Sequence, residues 1–232
     1  MGFGVFSTLF LWVLTQRFPT ILGWNYYEIL FISSFNMFCY SFSLLFFIQI
    51  QEIDYYVRNG EFDRILVRPM NSLFQFATIR FNINSLGTVL YSLIVLFYSG
   101  YHAKDWGIMS ITQAIVLIVC GVIVSFSIHL FIGATSFLTM QSGGFFQLKE
   151  VIYENVCNYP INIFSQGIQL FLTFILPIGF IGFYPSAGLL NKSSTLLGDL
   201  VLPICILFSL VLFIVSYVFW NFAIKSYSGS GS

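Results

Sequence analysis

Seven charged side chains crowd one short stretch of this 232-residue sequence: Glu52, Asp54, Arg58, Glu61, Asp63, Arg64 and Arg68. The whole chain carries only nine acidic and nine basic residues, so this stretch holds a large share of its charge. Ile53, Tyr56, Phe62, Ile65 and Leu66 recur between the charges at helical spacing. Gly60 interrupts the pattern and Pro69 stops it. The pattern predicts a short amphipathic helical segment within residues 51–76. Acids and bases are mixed in it, which suits the rim of a protein partner. The other reading is a solvated loop whose arginines meet lipid phosphates, although such a segment is expected to be mainly basic. A second polar island, residues 141–158, carries Gly143, Gly144, Lys149, Glu150 and Glu154.

The remaining polar candidates stand alone in apolar runs. His129 has Ser125 and Gly133 one turn away on either side, and Asn36, Gln166 and Gln169 are similarly isolated. Each either makes an interhelical hydrogen bond or lines a path through a membrane. Pro177, followed by Gly179, Gly182 and Pro185, predicts a broken helix or a proline kink. No reactive constellation accompanies them. The sequence has no HExxH, GxSG or DDxxD pattern, no paired intramembrane carboxylates and no GxxxxGK[ST] phosphate loop. Cys39, Cys120, Cys157 and Cys205 lie in or beside apolar runs without a CxxC pair. They read as buried free thiols, not as a disulfide framework or a metal site. A membrane enzyme is therefore the weaker reading.

These residues need elements to hold them, and composition says which. Hydrophobic residues make up 58% of the chain and charged residues 8%, with zero formal net charge. A soluble domain carries about 25% charged residues. Such a chain cannot cover a water-soluble fold, attract nucleic acid through basic charge or remain disordered. The apolar runs are unbroken and do not alternate, which argues against a membrane β-barrel. What remains is an all-α polytopic membrane protein forming one domain over residues 1–232. At about 20 residues per crossing, six spans are predicted, near 2–16, 27–50, 77–99, 107–140, 161–190 and 200–222. The first is short for a crossing, and the fifth is the one broken at Pro177. Both termini then share one side. Arg58, Arg64, Arg68, Arg80, Lys149 and Lys225 fall on that side, against Arg17, Lys104 and Lys192 on the other, which places the termini and both polar islands in the cytoplasm. Tyr26, Tyr27, Tyr98, Tyr101, Trp106 and Tyr184 fall near the expected interfaces.

The run Asn59-Gly60-Glu61-Phe62-Asp63-Arg64-Ile65-Leu66-Val67-Arg68-Pro69-Met70-Asn71, followed by Leu73-Phe74-Gln75, resembles the signature of bacterial type-2 ATP-binding-cassette (ABC) permeases. Leu176-Pro177 through Phe183-Tyr184-Pro185-Ser186-Ala187 and the closing Tyr227-Ser228-Gly229-Ser230-Gly231-Ser232 are similar to two further family features. The likeness covers nearly the whole chain. Members usually open on an amphipathic helix along the cytoplasmic face. Here the first apolar stretch starts at Gly2, so no N-terminal role is carried over.

The resemblance implies a six-span exporter subunit of the bacterial cytoplasmic membrane, without an ATPase site or cofactor of its own. ATP and Mg would be bound by an ABC ATPase subunit, two copies per complex. A second copy of the permease or a paralogue would complete the path, with a heterodimer preferred, amid membrane lipid and without nucleic acid. Gly60, Glu61, Phe62, Asp63, Arg64, Ile65, Leu66, Arg68 and Pro69 would seat on the ATPase, with Phe62, Ile65 and Leu66 filling its groove. Lys149, Glu150 and Glu154 would form a second contact. Pro177, Gly179, Gly182 and Pro185 would close the outer end. Asn36, His129, Gln166 and Gln169 are the pathway candidates, and the aromatic residues suit an apolar or cationic aromatic substrate. An importer's substrate-binding membrane subunit, which would lack the Gly60–Asn71 island, or a non-transport membrane enzyme are the alternatives.

Overall fold

The computed structural model describes residues 2–17, 20–192 and 200–227. The expected family tail at 228–232 and most of the expected polar link at 191–199 lie outside the described residues. The chain is an all-α polytopic membrane protein. Helix α1 (Gly2–Arg17) leads to a small hairpin, β1 (Thr20–Ile21) paired with β2 (Trp24–Asn25). Leu22 and Gly23 make its two-residue turn, both at positive φ, the geometry that matches the twist of a tight hairpin. Asn25 then starts α2 (Tyr26–Phe47). Its side chain accepts from the Glu28 amide at 3.0 Å, and the Glu28 carboxylate accepts from the Asn25 amide at 2.9 Å. This reciprocal cap satisfies two backbone donors that the helix itself leaves unpaired.

Among the described residues, four helices are long and apolar enough to cross a membrane. They are α2, continued by tighter turns and α3 (Ile53–Arg58); α6 (Ile83–Ala103); α7 (Ile108–Ala134), continued by α8 (Ser136–Thr139); and α12 (Val201–Lys225). The short helices α4 (Asp63–Leu66) and α5 (Ser72–Ala77) lie between α3 and α6. Helix α2 is central and packs against α6 and α7, while α7 also packs against α12. About three quarters of the apolar window of α2 is buried (72%), against 22% for α12, so α12 keeps most of its apolar surface for lipid or another chain. Helix α1 is 16 residues long, about 24 Å against a hydrocarbon core of about 30 Å. The first expected span is thus a helix short of a full crossing among the described residues.

The expected fifth span is broken. Gln166–Ile175, made of α10 (Gln166–Leu170) and a wide turn, meets Ile178–Leu189 at 75°. The second arm contains α11 (Phe183–Leu189). Pro177 sits in the bend, where it supplies no amide donor. The polar stretch before it is not a surface loop. It forms α9 (Gly143–Val156), which runs antiparallel to α2: Lys149 meets Tyr40, Tyr153 meets Asn36 and Asn158 meets Ser33. The bent pair meets α2 at the same level, with Gly182 against Asn36. Just beyond it, Lys192 pairs with Glu28 at 2.9 Å. Helix α9 and the bent pair therefore share the length of α2 between them.

Two buried clusters hold the bundle. One includes Phe35, Cys39, Val124, Phe180, Tyr184 and Val201, and joins α2, α7, the bent pair and α12. The other lies at the opposite end and includes Ile53, Phe62, Phe76, Phe137 and Trp220. These ends are called here the hairpin end and the charged end.

Candidate functional site

At the charged end the 51–76 segment is bolted onto the ends of α7 and α12. Gly60 ends α3 at φ +69°, a left-handed conformation that only glycine adopts without cost and that often stops a helix. The chain then turns Phe62 inward. Its ring lies 4.8 Å from Phe137, 5.7 Å from Phe76 and 6.3 Å from Trp220, centroid to centroid, and it is fully buried. Asn71 caps α5 by accepting from the Phe74 amide at 3.1 Å, and it donates to the Tyr217 hydroxyl of α12 at 2.8 Å. Tyr227, just past α12, donates to the Val57 carbonyl at 3.4 Å. Burial, and then the Asp63 carboxylate beside it, raise the pKa of its phenol.

The expected docking residues are thus brought together, but they divide. Phe62 and Ile65 are buried within the chain's own core and do not reach a partner groove. The spacing that identified them as an apolar face was sound, but α7, α8 and α12 cover that face. Glu61 and Asp63 are half-buried. Arg64, Leu66, Arg68 and Pro69 are exposed, and among the described residues no ion pair engages Arg64 or Arg68. The outward apolar residues are Val67 at 84% exposure and Met70 at 58%, together with Leu66 and Phe74. Val67 and Met70 were not singled out from the sequence. Val67 stands two positions from buried Ile65, on the opposite side of the turn, and Met70 follows the Pro69 stop.

The second expected docking group is corrected by burial. Lys149 is 3% exposed. Its ammonium donates to the Tyr40 hydroxyl at 2.7 Å, to His129 Nε2 at 2.9 Å and to Glu150 Oε1 at 2.9 Å. The Tyr40 hydroxyl donates in turn to Glu150, and Gln51 Nε2 donates to the same carboxylate at 3.2 Å. His129 Nδ1 lies 2.7 Å from the Ser125 carbonyl. That carbonyl can only accept, so Nδ1 carries the proton and Nε2 presents its lone pair to Lys149. All three ammonium protons are engaged, as a buried charge requires. Only Glu154 of this group is exposed.

His129 is therefore an interhelical partner. Asn36 is also buried. Its Nδ2 donates to the Cys157 carbonyl at 3.3 Å, and among the described residues its Oδ1 has no partner. Gln169 folds back on the Phe164 carbonyl at 2.8 Å, while Gln166 is exposed. Pro177, Gly179, Gly182 and Pro185 are all buried at the bend. A Cβ at Gly182 would stand 2.4 Å from Asn36 Cβ, and one at Gly179 would stand 2.8 Å from the Ile161 side chain. At the hairpin end two lysines fasten the bent pair. Lys104 donates to the Leu189 carbonyl at 2.8 Å and Lys192 to the Gly23 carbonyl at 2.9 Å. Among the described residues no group of His, Cys, Asp and Glu is placed to hold a metal ion.

The family described as ABC-2 family transporter protein matches residues 3–231 of the chain. No curated protein and no solved structure matches it significantly.

Proposed function

Since the chain belongs to the ABC-2 family of transporter proteins, and is thereby a transport permease, we propose that it is the membrane subunit of an ATP-driven exporter. It forms half of a translocation path and is driven by a separate ABC ATPase. The observation that carries this reading is the outward ridge Arg64–Met70, locked through Phe62, Asn71 and Tyr227 to the ends of α7 and α12. A partner that moves the ridge moves those two helices, whereas a loose loop would absorb the motion. Leu66, Val67 and Met70 fill a groove on the ATPase. Arg64 and Arg68 meet an acidic rim, which sets partner and register more than affinity.

ATP and Mg reside in the ATPase, two copies per complex. A paralogous permease, or else a second copy, completes the path in a bacterial cytoplasmic membrane. The buried plug around Pro177–Pro185 closes the outer end, and Glu154 remains as a rim contact.

The test is co-purification with a co-expressed ABC ATPase subunit. Val67→Asp should abolish the complex while the permease stays folded. The pair Asp63→Ala and Arg64→Ala should weaken assembly or separate ATP hydrolysis from transport. A Val67→Asp permease that still assembles and exports normally would overturn the docking assignment.

A further inference from the structure

A cavity of about 790 Å³ opens at the charged end between α2, α5, α7 and α12. Its walls are apolar, chiefly Phe46, Phe81, Phe126, Leu210 and Phe213. Polar side chains line it at one end only: Asn71, Thr78 and Arg80. Val122 and Leu210, at the other end, sit near the middle of α7 and α12. The groove therefore runs from mid-bundle to the charged end. In a hydrocarbon core of about 30 Å that is the depth of one leaflet, about 15 Å.

Its occupant must be apolar along that length and anionic where it meets Arg80. A soluble ligand would find no polar partner in the deep half. A helix from a second copy would cover the walls, but the Arg80 guanidinium, 63% exposed beside Glu52, favours an occupant with an anionic head. We propose that the groove holds an acyl chain of an anionic phospholipid from the facing leaflet, with the lipid phosphate on Arg80. Arg80 now pairs with Glu52 at 3.3 Å, with side-chain exposures of 63% and 51%. Such an exposed pair is weak, so a bidentate phosphate can displace the carboxylate. Glu52 opposes the anion, and its removal should tighten the site.

The experiment strips the purified full chain of lipid, reloads it with phosphatidylglycerol and counts bound lipid per chain by native mass spectrometry. The wild type should hold about one lipid per chain more tightly than the rest. Arg80→Ala should weaken that binding about fivefold, as expected for losing one cation at a membrane surface. Glu52→Gln should strengthen it, Val122→Trp should block it by filling the groove, and Ile94→Trp on the exposed side of α6 should leave it unchanged. Arg80→Ala removes an exposed side chain, so it keeps the test valid if Val122→Trp fails to fold. Wild-type binding in Arg80→Ala would overturn the proposal. So would a wild type that dimerises through this groove, holds no lipid there and falls to monomer on Val122→Trp.

Discussion

Lys149 Nζ lies 2.9 Å from His129 Nε2, joining a polar helix and an apolar one across 20 positions of sequence. The same ammonium reaches Tyr40, so one cation ties α9 to both α7 and α2. The contact fixes the imidazole tautomer and gives the bundle a defined register where apolar packing alone would let helices slide.

Lys149→Met should therefore leave the Tyr40 hydroxyl, the His129 lone pair and the Glu150 carboxylate short of a donor. Glu150 is partly exposed, so water offsets some of the loss. The expected cost is about 1–3 kcal/mol, read as a lower melting temperature of the detergent-solubilised chain. Combining Lys149→Met with Glu150→Gln should cost less than the sum of the two, because the second change removes the orphaned charge left by the first. Additive losses would mean that the two side chains act independently.

The plug makes a steric prediction. Gly182→Ala would place a methyl 2.4 Å from Asn36 Cβ and 2.9 Å from its Cα, which is backbone and cannot rotate away. The bent pair must move off α2, at about 1–3 kcal/mol. Cysteine-reactive probes should then label Cys157, now buried against α2, faster than in the wild type. Unchanged labelling would show that the plug absorbs the methyl in place.

What the sequence made legible follows from what periodicity and composition measure. The apolar runs gave α2, α6, α7 and α12, and the Pro177 and glycine spacing gave the break. Gly60 and Pro69 marked the turns around the ridge. Periodicity groups Phe62 and Ile65 on one face, but it does not say whether a partner or the chain's own helices cover that face. Trp220, which packs on Phe62, is 158 positions away. The burial of Lys149 is hidden from the sequence for a related reason. Charge in a polar stretch ordinarily means solvent, and the groups that offset its burial, Tyr40 and His129, are 109 and 20 positions distant.

The division of the ridge separates two kinds of defect. Phe62→Ala removes a fully buried ring from an aromatic cluster, and should destabilise the permease itself by about 3–5 kcal/mol. Val67→Ala removes only exposed surface, and should leave the melting temperature within about a degree while weakening ATPase binding. If Val67→Ala lowered the melting temperature as much as Phe62→Ala, Val67 would belong to the core and the ridge would face inward.

The hydrogen bond from Asn71 to Tyr217 offers the cleanest test of transmission, because it links the segment to α12 without taking part in the proposed docking ridge. Tyr217→Phe deletes one hydroxyl and keeps the ring stack with Phe213, whose centroid lies 6.2 Å away. Asn71 can still cap α5, since the cap uses Oδ1 and the lost bond uses Nδ2. The direct cost is that of one partly exposed hydrogen bond, about 1 kcal/mol, so the chain should fold and assemble with its ATPase. If α12 carries the motion, ATP hydrolysis should persist while transport per ATP falls. Asn71→Ala should do the same with an added loss of stability of about 1 kcal/mol from the missing cap. Hydrolysis and transport that fall together in Tyr217→Phe would place the defect in assembly and remove α12 from the coupling path. Transport equal to wild type would leave Phe62 and Trp220 as the connection that matters.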